Sequence, residues 1–239
     1  MNTRHGSTLP LRAFPSGDAL AEALAAAVAA DLAVALAARG QATLAVSGGS
    51  TPKRFLQALS RQPLDWSRAA VTLVDERWVP ESHPRSNAAL VRSHLLQGPA
   101  AAARFLPLHR PLDTPEAALP ELEQSLQDLP LPLDVAVLGM GEDGHTASFF
   151  PGGDLLDRAL DPAGPGAVLP MRAPGAGEPR VTLTLPVLLA ARHLYLHIEG
   201  EAKRRILEQA LSSGAAPGAL PIARVLAFRT GALDAYWAA

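Results

Sequence analysis

No cysteine occurs among the 239 residues, so disulfides, thiolate nucleophiles and cysteine-held zinc or iron–sulfur centres are excluded. Excess charge is lacking too. The formal net charge is -2, which supplies no basic field to hold nucleic acid or an anionic membrane, so any anion must be caught by a local cluster. Uninterrupted apolar runs are short. The longest worth testing, Ala23 to Ala30, is bracketed by Glu22 and Asp31 and falls far below the roughly 20 residues of a spanning helix. The start, MNTRHGSTLPLRAF, is polar and lacks the apolar core of a signal peptide. These absences lead to the expectation of a cytoplasmic protein with no nucleic-acid or membrane partner. No repeat recurs at a fixed period. What is present is an ordinary globular balance, 48% hydrophobic and 18% charged, enough for a buried core over residues 1–239 as a single domain.

Leu20, Leu24, Val28, Leu32 and Leu36 recur every four residues and predict one helix with an apolar stripe. Asp18 is the expected N-cap and Gly40 the expected stop. The text then alternates: QATLAV before SGGSTP, helical PKRFLQAL, AAVTLV before DERWVP, and helical SNAALVRSHLL. LDVAVLGM before GEDGHTASFFPG, then HLYLHIEG and helical EAKRRILEQAL, complete the series. Strand followed by helix, repeated, predicts an α/β fold with a mainly parallel sheet covered by helices on both faces. Residues 98–115 and 161–179 read as loops, and a small lobe around 98–130 and 161–180 is expected. The polar, glycine-rich and charged segments all follow strands. In open α/β sheets that end of the strands forms the ligand crevice, so SGGST, DER, GEDGH and EGEAK should converge.

Each of these segments has a functional and a structural reading. Ser47, Gly48, Gly49, Ser50 and Thr51 could present backbone N–H groups and hydroxyls to an anion at a helix N-terminus, or form a tight turn with a cap. Neither GxxxxGK[ST] nor GxGxxG is present. Ala45 to Gly49 comes close to a nucleophile elbow centred on Ser47, but that motif normally follows several strands. Asp75, Glu76 and Arg77 end a buried strand, where charges must be paired or face a solvated cleft. Arg77 can grip a phosphate or carboxylate bidentately, or belong to a surface ion-pair cluster.

The most informative segment is Leu138 to Ser148, with glycines at 139, 141 and 144. Such a run marks backbone that turns tightly or approaches a ligand. His145 follows, at the expected start of a short helix. An imidazole that titrates near neutrality suits the removal of a proton from water, and Asp143 is placed to orient it. Two such ligands without an HxxxH or HxH partner do not make a metal site. Lys203 falls in the first turn of a helix, where a cation opposes the helix dipole. An anion in the crevice would explain it, while Arg204 and Arg205 read as a solvated face.

Taken together, SGGSTP, DERWVP with Ser86-Asn87 and Arg92, GMGEDGHTASFFPG, PRVTLTLP and EGEAK resemble the 6-phosphogluconolactonase family. The resemblance runs from residue 44 to about 207. It implies a fold of the sugar-phosphate isomerase type with a small appended lobe, and hydrolysis of 6-phospho-D-glucono-1,5-lactone to 6-phosphogluconate in the oxidative pentose phosphate pathway. It implies no metal and no organic cofactor. It places the family's catalytic histidine on His145, its DER arginine on Arg77 and its EG-x-x-K lysine on Lys203. Asp143 joins His145 and Arg77 as a catalytic residue. Ser47 to Thr51, Asp75, Arg77, Arg180 and Lys203 are the expected substrate and phosphate contacts. Oligomeric state stays open.

Glucosamine-6-phosphate deaminases resemble the same DGH segment. They typically read DGHIAFNEP, with an acid five residues beyond the histidine. Here that position holds Phe150, which argues against an isomerase-type proton relay, although Asp75 and Glu76 keep the alternative open. A sugar-phosphate sensor would need an output module. The stretch ahead of the first helix, about a dozen and a half residues, is too short for a three-helix DNA-binding unit.

Overall fold

Short aliphatic runs, each closed by glycine or charge, become the strands of the sheet. The computed structural model describes residues 9–164, 166–214, 216, 218–229 and 233–239, so most of the polar start read for a leader, residues 1–8, lies outside the described residues. The main sheet contains β1 (Leu11–Phe14), β2 (Ala42–Val46), β3 (Ala69–Leu73), β5 (Arg104–Leu106), β6 (Val135–Leu138), β9 (His193–Glu199) and β10 (Leu233–Ala238). Their order is β1-β10-β9-β6-β2-β3-β5, and every adjacent pair is parallel. Strands β2, β3 and β6 are buried at every residue. That pattern requires cover on both faces and explains why these runs are apolar without alternation.

Helix α1 (Gly17–Arg39) packs on this sheet. Leu20, Leu24, Val28 and Leu32 have no exposed surface, each contributing roughly 1.5–3 kcal/mol by burial. Gly40 ends the helix in the left-handed region, with φ 73° and its N–H on the Leu36 carbonyl. The N-cap differs from expectation. Ser16, extended and with an acceptor hydroxyl, takes the Ala19 N–H, while Asp18 sits within the first turn. By length and hydropathy, 23 residues and 1.9, α1 passes the test for a membrane span that its uninterrupted apolar run failed. Its leucine face is nevertheless spent on the sheet.

A second, antiparallel sheet was not foreseen. It contains β4 (Asp75–Arg77), β8 (Arg180–Leu183) and β7 (Val168–Met171), in the order β4-β8-β7. Val74 joins the two sheets: its N–H bonds Val46 O of β2 and its carbonyl accepts from Leu183 N of β8. The DER triplet is therefore a strand of its own and not the tail of β3. Both stretches read as loops contain strands, β5 in 98–115 and β7 in 161–179. They escape a sequence reading because three or four residues, followed by proline in β5 and containing one in β7, show no resolvable period.

Helices α2 (Lys53–Ser60), α3 (Asn87–His94), α4 (Pro115–Gln127), α5 (Leu156–Ala159), α6 (Leu185–Ala190), α7 (Glu201–Ser213) and α8 (Pro221–Phe228) fill the connections. No helix follows His145. Residues 146–149 instead form a tight turn closed by a Thr146–Phe149 bridge, with Ala147 at φ 49°.

Candidate active site

Beyond the carboxyl ends of β2, β3, β6 and β9 lies one cavity of about 230 Å³. That is smaller than the roughly 300–1,000 Å³ of pockets for drug-sized ligands and suits a small polar molecule. Ser47 to Thr51, Asp75, Arg77, His145, Arg180 and Lys203 all line it. The four segments expected to converge do so, and Asp143 joins them through His145.

The β2–α2 turn is shaped by close approach. A Cβ on Gly48 would stand 1.8 Å from Asn87 Oδ1, and Gly49 adopts φ 98°. Ser47 spends its hydroxyl on the backbone, donating to Val137 O at 3.0 Å and accepting from Gly139 N at 2.9 Å. A nucleophile needs that proton directed at a base, so the elbow reading of Ser47 falls. Helix α2 has Pro52 at its N-cap position and no side-chain cap, which leaves first-turn N–H groups beside Ser50 and Thr51. Lys203, in the first turn of α7, donates to Thr51 Oγ1 at 3.3 Å. Burial lowers the pKa of its ammonium, and Glu142 and Glu199 act in the opposite direction.

Arg77 and Arg180 face each other across β4 and β8. Like charges directly opposite on a sheet destabilise it. Arg180 is buried and its pKa is lowered by desolvation. Its guanidinium donates to Ala176 O at 2.6 Å and stands 3.7 Å from Asp75 Oδ2. Arg77 donates to the Arg85 carbonyl at 2.6 Å. The Nε atoms of both arginines are buried without a partner. Asp75, expected as a substrate contact, is buried and accepts from Ser148 Oγ at 2.6 Å, so it chiefly holds its neighbours. Glu76 lies fully buried beneath. It accepts the N–H groups of Arg77, Asn87 and Ala88 at 2.8, 2.8 and 2.7 Å, pinning β4 to the start of α3. Burial pushes its carboxyl up to about 7 against those bonds.

His145 Nδ1 lies 2.5 Å from Asp143 Oδ1, and the same oxygen accepts the His145 N–H at 3.1 Å. A carboxylate at Nδ1 fixes the proton there and leaves Nε2 as the basic nitrogen. Gly141 makes room for the pair: a Cβ on it would stand 2.3 Å from His145 Nδ1 and Cε1 and 2.6 Å from Asp143 Oδ1. Gly144 takes φ 74° to complete the turn.

Three cavity residues escaped the sequence reading. Asn87 donates to Asp75 O at 2.9 Å; the Ser86-Asn87 pair was noted only as part of a pattern. Phe55 and His197 line the wall as well. His197 Nε2 lies 3.2 Å from Glu199 Oε1, and Arg54 holds the other carboxylate oxygen, Oε2, at 2.6 Å. On a buried strand His197 carries no sequence signal. Arg92, noted in the same pattern, pairs with Glu81 and lies over Phe105, outside the cavity lining. Among the described residues no group of three or more metal-ligating side chains gathers.

Comparison with known proteins bears on the same geometry. The sequence model of the glucosamine-6-phosphate isomerase/6-phosphogluconolactonase family matches residues 15–237. A 6-phosphogluconolactonase of Rhizobium meliloti is 54% identical over 225 residues, 94% of this chain and 97% of the relative. One of Pseudomonas aeruginosa is 53% identical over 202 residues, 84% of this chain and 85% of the relative. The crystal structure of a 6-phosphogluconolactonase from Shewanella baltica superposes with TM-score 0.94 at 40% identity, covering 98% of this chain and 99% of that one. A monomeric glucosamine-6-phosphate deaminase shares the fold alone, with TM-score 0.70 at 16% identity.

Proposed function

We propose that this chain, which belongs to the glucosamine-6-phosphate isomerase/6-phosphogluconolactonase family, hydrolyses 6-phospho-D-glucono-1,5-lactone to 6-phosphogluconate. The observation that carries the reading is the His145–Asp143 pair at 2.5 Å opening on the same cavity as Arg77, Arg180 and Lys203. An oriented imidazole base and an anion grip are what this ester of a phosphorylated sugar requires.

His145 Nε2 takes a proton from water as the oxygen attacks the lactone carbonyl. The carbonyl π pair moves to oxygen, and cationic or N–H donors stabilise that oxyanion. Collapse re-forms the carbonyl and breaks its bond to the ring oxygen. The departing alkoxide recovers the proton from His145, and the new carboxylic acid ionises. Asp143 holds the imidazolium between these steps. One base contributes roughly 10²–10⁴-fold, with positioning supplying more. Arg77, Arg180, Lys203 and the Ser47 to Thr51 turn share the phosphate and the oxyanion.

The deaminase reading is disfavoured by Phe150, buried where that motif carries an acid. A cytoplasmic setting belongs to the same proposal, since a charged sugar phosphate does not cross a bilayer unaided.

The test is a coupled assay on freshly generated lactone. His145→Ala should lower kcat by at least 10²-fold and leave binding of a phosphate analogue nearly intact. Arg77→Ala and Lys203→Ala should mainly raise KM. Near wild-type turnover in the His145 variant would overturn the mechanism, and ammonia release from glucosamine 6-phosphate would overturn the assignment.

A further inference from the structure

His145 has few holds for a residue that must present one nitrogen in one direction. Asp143 fixes Nδ1, yet the side chains of both remain partly exposed, 31% and 44%. One anchor point leaves the ring free to swing about it. The second hold is aromatic. The Phe150 ring lies against the imidazole with centroids 4.3 Å apart and planes within 25°. Phe150 is itself buried at 3% exposure, so its own position is set by packing. The Arg180 guanidinium lies over the same phenyl ring, 5.2 Å from its centroid. One side chain thus touches the proposed base and one of the proposed anion-holding cations, which arrive from different segments of the chain.

We infer that Phe150 is a positioning residue: its ring is the platform that fixes the plane of His145 and sets its spacing from Arg180. The inference rests on the reading of His145 as the base. Nδ1 held by Asp143 and a face held by Phe150 define the direction of Nε2. The phenyl group also has no exchangeable proton, so a proton accepted by the imidazole has no onward route through position 150. Arg180 depends on the ring much less, because Ala176 O and Asp75 hold it independently. Loss of the ring should therefore fall on turnover and spare substrate binding.

The experiment compares Phe150→Leu, which removes the ring, with Phe150→Tyr, which keeps it. Phe150→Met stands in if the leucine variant does not fold. An aromatic pair contribution of the usual size corresponds to roughly a threefold to tenfold fall in kcat for the ring-free variant, with KM within about twofold of wild type on the same reckoning. The tyrosine variant should keep most of its turnover. In proton NMR, the His145 ring signal should move downfield in Phe150→Leu as the ring-current shift disappears. Unchanged kcat in the ring-free variant, or equal losses in the leucine and tyrosine variants, would overturn the inference. So would a rise in KM at constant kcat, which would make Phe150 part of the substrate wall. His145→Ala separates the two readings. If it keeps turnover the base reading fails, whereas if it is inactive while Phe150→Leu is normal only the platform fails.

Discussion

Gly141→Ala tests the catalytic geometry without removing any catalytic group. Gly141 is not among the residues with positive φ, so alanine meets no left-handed backbone strain there. Its new methyl carbon would stand 2.3 Å from His145 Nδ1 and Cε1 and 2.6 Å from Asp143 Oδ1. Ordinary contact begins near 3.5 Å, so the imidazole must retreat by about 1 Å. A displacement of that size at a reacting group costs on the order of 10²-fold. The imidazole is partly exposed and can swing outward, so the fold should lose less than about 1 kcal/mol. The assay is kcat on fresh lactone, paired with a thermal melt. A fall of roughly 10²-fold at a nearly unchanged melting temperature is expected. Wild-type kcat in a folded variant would refute the claim that the His145–Asp143 geometry carries the chemistry.

Asp143→Asn should fold normally and lower kcat by roughly 10- to 10²-fold with KM little changed, because an amide no longer enforces the Nδ1 proton; an unchanged kcat would dismiss Asp143. Gly48→Ala puts a carbon 1.8 Å from Asn87 Oδ1 and should evict the amide from Asp75 O, destabilising the protein by about 1–3 kcal/mol. Adding Asn87→Ser should recover part of that loss in a chemical melt, and no recovery would place the strain elsewhere. Glu76 is raised by burial to about 7 from 4.5, so its carboxyl favours the folded state fully below about pH 4.5 and loses that contribution as pH rises through 7. The stability of wild type relative to Glu76→Gln should therefore fall between pH 5 and pH 8, by up to about 3 kcal/mol. A pH-independent difference in urea unfolding would contradict the raised value.

Much of this was legible in the sequence, and the residues show why. The apolar runs of β2, β3 and β6 need no period to be read, because burial on both faces makes them uniformly aliphatic. Gly48, Gly141 and Gly144 signalled constrained backbone. The reasons for the constraint were not legible: Gly48 yields to Asn87 and Gly141 to His145 and Asp143, and the first of these is a contact across 39 positions of sequence. The helix expected after His145 failed because Thr146 sends its hydroxyl to Gly139 O, a partner on the far side of the glycine run. Strand β4 failed for a different reason. Three charged residues have no strand pattern of their own, and only pairing with β8 makes them one. His197 stayed hidden because one imidazole in the buried run of β9 looks like any core residue.

The second sheet then has a clear physical consequence. At Val74 the chain leaves a parallel sheet and enters an antiparallel one, pairing forward to β2 and across to β8 through a single residue. That step turns Arg77 and Arg180 into cross-strand neighbours, an arrangement that costs stability. Asp75 relieves only the Arg180 side, at 3.7 Å, and the Nε atoms of both arginines remain without a partner. Glu76 is turned away, committed to the start of α3. A sheet register that forces two cations together, beside a lysine whose ammonium is also disfavoured by burial, stores its unfavourable electrostatics around the cavity. An anion bound there, as proposed, would relieve all three at once. On the proposed reading, affinity for a phosphorylated ligand would follow from how β3 gives way to β4, and not from the glycine-rich turn alone.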